Sequence, residues 1–137
     1  MESRILSFIK NHHVLGCSFQ KADATYSFSA FYHFLEDNPR FLISSKEDTL
    51  HVRLSSKNPK ISGTIHLETK EIGKIQGIQF LGIWRDSSKK EIQEYLKRYP
   101  YALALNPKFF TIDITYIKYT DNRLGFGKKL EFGDIQL

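Results

Sequence analysis

The sequence predicts a mainly β fold of the α+β class, with six or seven antiparallel strands closed into a barrel and about three short helices. Three observations support this class. Aromatic residues are abundant, with 11 Phe and 7 Tyr in 137 residues, and such side chains pack well on a pleated sheet. Several segments alternate between apolar and polar residues, which is the period of a strand. Strong turn signals separate these segments, as expected for hairpins.

The N-terminal residues predict one helix and two strands. Apolar residues within 5–9 have the spacing of a short amphipathic helix, for which Ser3 is a candidate N-cap. Residues 13–20 are predicted to form the first strand. Residues 26–34 alternate and are apolar on much of both faces, which predicts a second, largely buried strand.

A hairpin and a helix follow. Residues 36–39 (Glu-Asp-Asn-Pro) have strong turn chemistry, because Asn and Asp hydrogen-bond to the turn backbone and Pro fixes φ. Residues 41–43 then begin a third strand. The spacing becomes helical from residue 49, and Lys57-Asn58-Pro59 is a stop signal.

The remaining chain predicts strands around one clear helix. Residues 60–68 alternate, and residues 73–85 form a long strand whose interior glycines, Gly77 and Gly82, indicate a bulge or a bend. Residues 87–99 form a helix capped by Ser88, with a buried stripe of Ile92, Tyr95 and Leu96. The last two predicted strands span residues 109–119 and 127–132.

Length and composition restrict the class of protein. The length is that of a single domain, so residues 1–137 are assigned to one domain. The lone Cys17 lies in an apolar run and suits an inert core thiol in a reducing compartment. No apolar stretch is long enough to span a bilayer, and no signal-peptide block follows the N-terminus. We expect a cytoplasmic protein with no membrane partner.

The net charge of +5 raises the question of nucleic-acid binding. The charges are mixed, because most basic residues have acids close by, as in Lys89-Lys90-Glu91. No block of five or six like charges occurs. We therefore expect no nucleic-acid partner.

One segment is rich in residue types that bind phosphate: Ser44, Ser45, Lys46, Thr49, His51 and Arg53. A helix N-terminus offers free N–H donors and a positive dipole end. Hydroxyl groups add hydrogen bonds, and Lys46 or Arg53 can neutralise charge. An N-cap cluster with solvated charges explains the same residues, and composition alone favours that explanation.

The spacing of this segment matches a known pattern, strand–(Ser/Thr)–x₃–(Ser/Thr)–x–(His/Lys), in Ser45, Thr49 and His51. A helix ending at Asn58-Pro59 and a strand starting at residue 60 follow. This arrangement resembles the pyridoxamine 5′-phosphate oxidase-like, FMN-binding split-barrel superfamily. Residues 75–82 resemble the barrel strand that gives the flavin a polar contact. Residues 119–129 closely resemble the tail of a small YhbP-like branch.

The resemblance implies a split-barrel homodimer with an FMN site at each subunit junction, and a flavin-dependent oxidoreductase of unknown substrate. Ser45, Thr49 and His51 match the phosphate-binding positions. The backbone from Ser29 to Tyr32 would run along the isoalloxazine ring, and Gln79 matches the polar strand residue. Asn122 and Lys128 belong to the tail motif. The expected cofactor-binding residues are thus Ser29, Phe31, Tyr32, Ser44, Ser45, Lys46, Thr49, His51, Arg53, Gln79, Asn122 and Lys128.

One departure from the superfamily pattern affects the cofactor. Members commonly carry Arg or Lys directly after the second hydroxyl, where this chain has Leu50. Lys46 or Arg53 would have to compensate, Arg53 lying one helical turn beyond Thr49. Without compensation the site suits another ligand, such as haem or a deazaflavin.

Other site types have weaker support. His12-His13 lacks a partner at metal-ligand spacing, so no metal site is expected. No paired acid and base and no nucleophile elbow stand out, which suits chemistry carried by a flavin. Trp84 is expected in the core or at a dimer interface, and stacking on the flavin is the alternative. Two alternative functions remain: a flavin-binding module without turnover, and haem binding or degradation on the same fold.

Overall fold

The computed structural model describes residues 1–126 and 128–135. Its three α-helices are α1 (Ser3–Lys10), α2 (Leu50–Lys57) and α3 (Lys89–Arg98). Its strands are β1 (Val14–Lys21), β2 (Ala24–Phe31), β3 (His33–Leu35), β4 (Arg40–Ser45), β5 (Lys60–His66), β6 (Gln76–Asp86), β7 (Lys108–Asp121) and β8 (Lys129–Gly133). Short 3₁₀ helices span Ile72–Lys74, Pro100–Leu105 and Asn122–Leu124.

All strands belong to one antiparallel sheet with the order β2-β1-β5-β6-β7-β4-β3, and β8 pairs with β7. Strands β2 and β3, which stand at the two ends of this order, are consecutive in the chain and separated only by Tyr32. The sheet therefore curls back on itself, and the predicted split-barrel class is confirmed. The predicted second strand at 26–34 is divided at Tyr32, which raises the strand count to eight.

Tyr32 holds the junction between β2 and β3. Its N–H donates to His13 O at 2.9 Å, and its hydroxyl donates to Ile9 O at 2.6 Å. Its own carbonyl accepts from the Tyr99 hydroxyl at 2.7 Å. The first bond continues the β1–β2 pairing by one residue, and the other two attach the junction to α1 and to Tyr99 at the end of α3.

The core fills the inside of the barrel. Its fully buried members include Phe41, Ile43, Ile112 and Ile117. Helix α1 adds Ile5, Phe8 and Ile9, and α2 adds Leu54. Trp84 is buried and packs on Phe110 with ring centroids 4.7 Å apart, so it belongs to the core. The expected N-cap of α1 is corrected: Ser3 is the first helical residue, and Glu2 precedes it without a side-chain cap.

Helix α3 packs outside the barrel. Tyr95 is buried against Leu42 and Ala102, while Ile92 and Leu96 are half-buried. Ser88 caps the helix through a capping box with Glu91, which is buried. The unpredicted burial of Glu91 is offset by two arginines: Arg40 Nε donates to it at 2.7 Å, and Arg85 donates twice at 2.9 Å.

The long predicted strand at 73–85 begins later than expected, because Ile72–Lys74 forms a 3₁₀ helix. The register shifts between Leu81 and Gly82, as the interior glycines indicated. A Cβ on Gly82 would meet Ile112 Cγ2 at 2.6 Å, so only glycine fits there without rearrangement. Gly127, the predicted start of the last strand, lies outside the described residues. Among the described helices, none has both the length and the apolar character needed to cross a membrane.

Candidate functional site

A groove of about 500 Å³ runs over the outer face of β1, β2, β5 and β6. We call it the outer groove; its floor consists of small residues, and Gln79 and Leu81 lie at its side. Strand alternation explains the floor, because the neighbours Leu15, Cys17 and Phe19 point into the core. The floor residues are Gly16, Ser18, Ser27, Ser29, Ser62 and Thr64.

The floor is polar and has only short side chains. A Cβ on Gly16 would meet no atom closer than Thr64 Oγ1 at 3.8 Å, so Gly16 presents bare backbone to open space. The hydroxyls of Ser18 and Ser27 lie 2.6 Å apart across the β1–β2 pair. Such a surface can accept a planar ring and offers hydroxyl groups to its polar edges.

Two further cavities continue the outer groove. The first, of about 580 Å³, shares Ser18, Ser62 and Leu81 with it. The second, of about 550 Å³, adjoins the first at Gln20 and Asn58. The second cavity is lined by three cations, Lys21, Arg53 and Lys57. We call this part the cationic end.

The predicted hydroxyls Ser44 and Ser45 point to opposite faces of the sheet. Ser44 Oγ donates to the Tyr95 hydroxyl at 3.2 Å, on the side covered by α3. Ser45 Oγ lies 2.9 Å from His51 Nε2, on the inner side. The alternation of side chains along β4 causes this divergence, so the two hydroxyls do not converge on one ligand.

Ser45, Thr49 and His51 form one hydrogen-bonded group, the Ser45–His51 cluster. Thr49 Oγ1 lies 3.3 Å from His51 Nε2, donates to Lys46 O at 2.9 Å, and accepts from Val52 N at 3.4 Å as the N-cap of α2. Burial lowers the pKa of His51 below its usual 6.5. His51 is therefore neutral at neutral pH and offers hydrogen bonds rather than positive charge.

The other predicted residues occupy different places. Ser29 and Gln79 line the outer groove, and Arg53 lies at its cationic end. Lys46 is exposed. Phe31 is 58% exposed, whereas the side chain of Tyr32 is buried.

Asn122 and Lys128 lie apart from the outer groove. Asn122 Nδ2 donates to Ile72 O at 2.8 Å, and Lys128 lines a separate cavity. This region adjoins the first residues of β6, because Gln76 pairs with Asp121. Trp84, next to α2, stands eight residues further along β6, or about 25 Å away. The fold of the chain does not bring these two residues to the Ser45–His51 cluster.

The sequence analysis did not identify the groove floor. Its signal was nevertheless visible, because small residues occupy alternate positions in residues 16–18, 27–29 and 62–64. Lys57, at the cationic end, was assigned only to the stop signal of the helix. Its position one turn after Arg53 places both cations on the same side of α2.

Comparison with known proteins identifies the family. No protein-family model matches the chain. A UPF0306 protein of Campylobacter jejuni is 38% identical over 133 residues, covering 96% of this chain and 98% of the relative. The UPF0306 protein YhbP of Escherichia coli is 32% identical over 130 residues, covering 92% of this chain and 88% of the relative.

Solved structures show the fold. A haem-binding protein from Mycobacterium smegmatis matches with a TM-score of 0.75 and 11% identity, over 92% of this chain but only 55% of that chain. An FAD-binding protein from Mesorhizobium loti matches with a TM-score of 0.71 and 12% identity, over 85% of this chain and 91% of that chain. HutZ, the haem storage protein of Vibrio cholerae, matches with a TM-score of 0.66 and 16% identity, over 82% of this chain and 89% of that chain. The chain therefore belongs to the UPF0306, or YhbP-like, family and has the split-barrel fold found among flavin- and haem-binding proteins.

Proposed function

We propose that this protein is a flavin-dependent oxidoreductase of the pyridoxamine 5′-phosphate oxidase-like superfamily and binds FMN along the outer groove. One observation carries the proposal. The hydroxyl-lined floor is joined to the cationic end by a cavity that shares lining residues with both. A planar ring joined to a phosphate by a polar chain has the same order of chemical features.

The residues present fit the ring. Ser29 and Gln79 offer a hydroxyl and an amide, which can both donate and accept hydrogen bonds. Leu81 adds an apolar contact at the side. Gly16 keeps the floor free of a side chain, so a ring can approach the backbone closely.

The cationic end fits the phosphate. Arg53 is exposed, and one of its N–H groups already donates to Asp48 O at 3.2 Å, which steadies the side chain. A guanidinium has further donors for an oxyanion. Leu50, which stands where superfamily members commonly carry a cation, lines the same cavity. We therefore assign the compensating charge to Arg53, with Lys57 beside it.

We assign the Ser45–His51 cluster a positioning role for this phosphate site. Its hydroxyls and imidazole already bond to one another, and Thr49 caps α2. The cluster thereby fixes the helix that carries Arg53 and Lys57. When bound, FMN would supply two-electron transfer, and the protein would supply binding and orientation.

Side chains of the groove floor supply little acid–base chemistry. The described floor residues offer hydroxyl groups and bare backbone. Cys17 lies beneath the floor, and burial raises its pKa, so its thiol is a poor nucleophile. This composition suits a protein in which the cofactor carries the reaction.

The proposal includes a homodimer. Four apolar side chains face outward around the groove: Val14, Phe31, Leu81 and Ile83. Val14 and Phe31 are paired across β1 and β2, and Leu81 and Ile83 are neighbours on one face of β6. A second copy packed over these residues would bury them and enclose the ring, since ligand pockets often form at such junctions.

Haem is a second candidate, supported by His66. This exposed residue lies two positions beyond Thr64 on the outer face of β5. A neutral imidazole is a common axial ligand of haem iron. His66 would provide this ligand from the margin of the outer groove.

The visible spectrum of freshly purified protein, followed by titration with FMN and haem, tests these proposals. We expect FMN to bind and the substitution Gly16→Leu to weaken binding at least about tenfold, because the new side chain fills the floor. Gly73→Leu is the control, since no atom lies within 4 Å of a Cβ there. A haem spectrum lost in His66→Ala would establish the second candidate instead. A protein that binds neither ligand would contradict both.

A further inference from the structure

A second concave site lies near the first residues of β6, away from the outer groove. Two cavities of about 330 and 320 Å³ adjoin there, between α1, β7 and β8. They share four lining residues: Arg4, Tyr119, Asp121 and Leu124. We call the combined space the polar pocket. The proposed flavin function does not use it.

Positive charge dominates the polar pocket. Four cations line it: Arg4, Arg123, Lys128 and Lys129. The carboxylate of Asp121, only 3% exposed, neutralises Arg123 by accepting from its Nε at 3.0 Å and its Nη2 at 2.8 Å. Within residues 1–126 and 128–135, the side chains of Arg4, Lys128 and Lys129 form no ion pair.

The wall of the pocket is held in place. Tyr119 donates to Asp121 Oδ2 at 3.1 Å, and its hydroxyl lies 3.3 Å from Gln76 Oε1. Gln76 Oε1 also accepts from Arg123 Nη2 at 3.1 Å. Asn122 fixes the turn that carries Arg123, because its side chain donates to Ile72 O and its N–H to Ile75 O. A fixed polar wall reduces the ordering cost of binding.

The lining also contains neutral polar and apolar groups. Ser7 and Asn11 of the α1 region offer a hydroxyl and an amide, and Leu124 and Leu130 offer apolar surface. Three cations without protein counter-charge in a concave site favour a ligand with more than one negative charge. The leucines favour a ligand that also has a carbon skeleton.

We propose that the polar pocket binds a small organic oxyanion carrying at least two negative charges, through Arg4, Lys128 and Lys129. Phosphate esters and polycarboxylates share this chemistry. The site is separate from the outer groove, since Gln76 and the groove residue Gln79 stand on one strand but line different cavities. The inference does not depend on the proposed flavin function.

Calorimetric titration of the full chain with pyrophosphate and with citrate tests the proposal. We expect saturable binding of at least one probe at one site per subunit, weakened by salt. Arg4→Ala and Lys128→Ala should each weaken it about tenfold, since each removes a charge-assisted contact. Lys97→Ala is the control, because Lys97 pairs with Glu94 at 3.1 Å on α3, away from the pocket. Comparing the two probes distinguishes a phosphate source from a carboxylate source.

The proposal would be overturned by no binding of either probe to folded protein, by equal binding to the two alanine variants and the wild type, or by displacement of the probe by one equivalent of FMN. Displacement would mean that the flavin site extends into this pocket. Amide chemical shifts of Ser7, Leu124 and Leu130 should move on titration. Unchanged shifts there, with binding detected by heat, would place the probe elsewhere.

Discussion

The imidazole of His51 lies parallel to the ring of Phe28, with centroids 3.9 Å apart and planes inclined by 6°. This stack joins α2 to the inner side of β2, and Ser45 holds the imidazole from a second direction. The helix is therefore attached to the barrel by its first turn. Its cations, Arg53 and Lys57, project into the cavity beyond the groove.

Arg53→Ala tests the cationic end. We expect the affinity for FMN to fall by about 1.5–3 kcal/mol, the value of a charge-assisted hydrogen bond. The affinity for riboflavin should not change, because riboflavin has no phosphate. Fluorescence titration of both ligands measures the difference. An equal loss for both ligands would place Arg53 against the ring or in the fold, not at the phosphate.

Leu50→Arg restores the cation that superfamily members commonly carry. Leu50 lines the cationic end and is partly buried against the core, so some packing is lost. We expect FMN binding to tighten by up to about 1.5–3 kcal/mol, less the packing loss. Leu50→Met, which keeps the volume without adding charge, is the matched control for the titration. If Leu50→Arg binds FMN no more tightly than Leu50→Met, the phosphate binds elsewhere.

The stability of the protein should depend on His51 between neutral and mildly acidic pH. Burial lowers its pKa below 6.5, so the unfolded chain binds the proton first as the pH falls. The contribution of neutral His51 is fully present above pH 6.5 and is lost as the pH falls toward the lowered value. His51→Phe keeps the stack but cannot titrate.

Urea unfolding at about pH 7.5 and about pH 5.5 measures this dependence. We expect His51→Phe to lose less stability than the wild type over this interval. His33 also has a lowered pKa, through burial and the nearby Arg98, but it is present in both proteins. If the free energy of unfolding falls equally in the wild type and in His51→Phe between the two pH values, the pKa of His51 is the same in the folded and unfolded states.

Glu91→Gln should destabilise the fold. Burial alone would raise the pKa of Glu91, but hydrogen bonds from Arg85, the Ser88 backbone and Arg40 outweigh it and hold the pKa at about 2. Removing this charge leaves Arg85 paired with Asp113 and Arg40 paired with Asp37, and both of these carboxylates are much more exposed than that of Glu91. We expect the free energy of unfolding to fall by about 2–4 kcal/mol. This is less than the cost of breaking a fully buried ion pair, because Arg85 is partly exposed.

Thermal and urea unfolding measure this loss, and Glu94→Gln on the same helix is the control. Glu94 is in a more exposed pair with Lys97, so its replacement should cost less than about 1 kcal/mol. The wild type should also lose stability as the pH falls from 4.5 to about 2, whereas Glu91→Gln should respond less. Equal losses for the two glutamine variants would contradict the prediction.

Dimerisation and FMN binding should be coupled. A ligand enclosed by two subunits binds the dimer and not the monomer, so it shifts the association by mass action. We expect saturating FMN to lower the dimer dissociation constant at least about tenfold in sedimentation at dilute concentration. Ile83→Glu should weaken both dimer and FMN binding, whereas Ile72→Glu, exposed outside the groove, should affect neither. A monomer with full FMN affinity would contradict the shared site.

The fold class could be predicted because its signals are local. Alternation, turn residues and the Ser88 cap act over a few residues, and most of the predicted strands and helices appear with bounds shifted by only a few residues. The division of β2 and β3 at Tyr32 gave no local signal, since residues 26–34 alternate throughout. It depends on hydrogen bonds to His13, Ile9 and Tyr99, which are distant in the chain.

The candidate site was predictable in part for the same reason. The resemblance implied Ser29 and Gln79, and the residue types of the phosphate-like segment indicated Arg53; these residues lie along the groove and its extension. The divergence of Ser44 and Ser45 follows from the two-residue period of a strand and could have been deduced. The groove floor required the register that sets Ser18 opposite Ser62 and Gly16 opposite Thr64, which local sequence does not specify.

The pairing of β4 with β7 has a consequence for the order of folding. It joins Ser45 to Lys108 and Arg40 to Asp113, about sixty to seventy residues apart in the chain. Closing so long a loop costs entropy before any contact repays it, whereas the β1–β2 hairpin closes over a few residues. Refolding should therefore be slow for a chain of this size, with amides of the hairpin protected from hydrogen exchange before those of β4. Until β4 docks, residues 108–113 of β7 remain an unpaired edge on which newly made chains can associate, whereas residues 116–120 pair with β8.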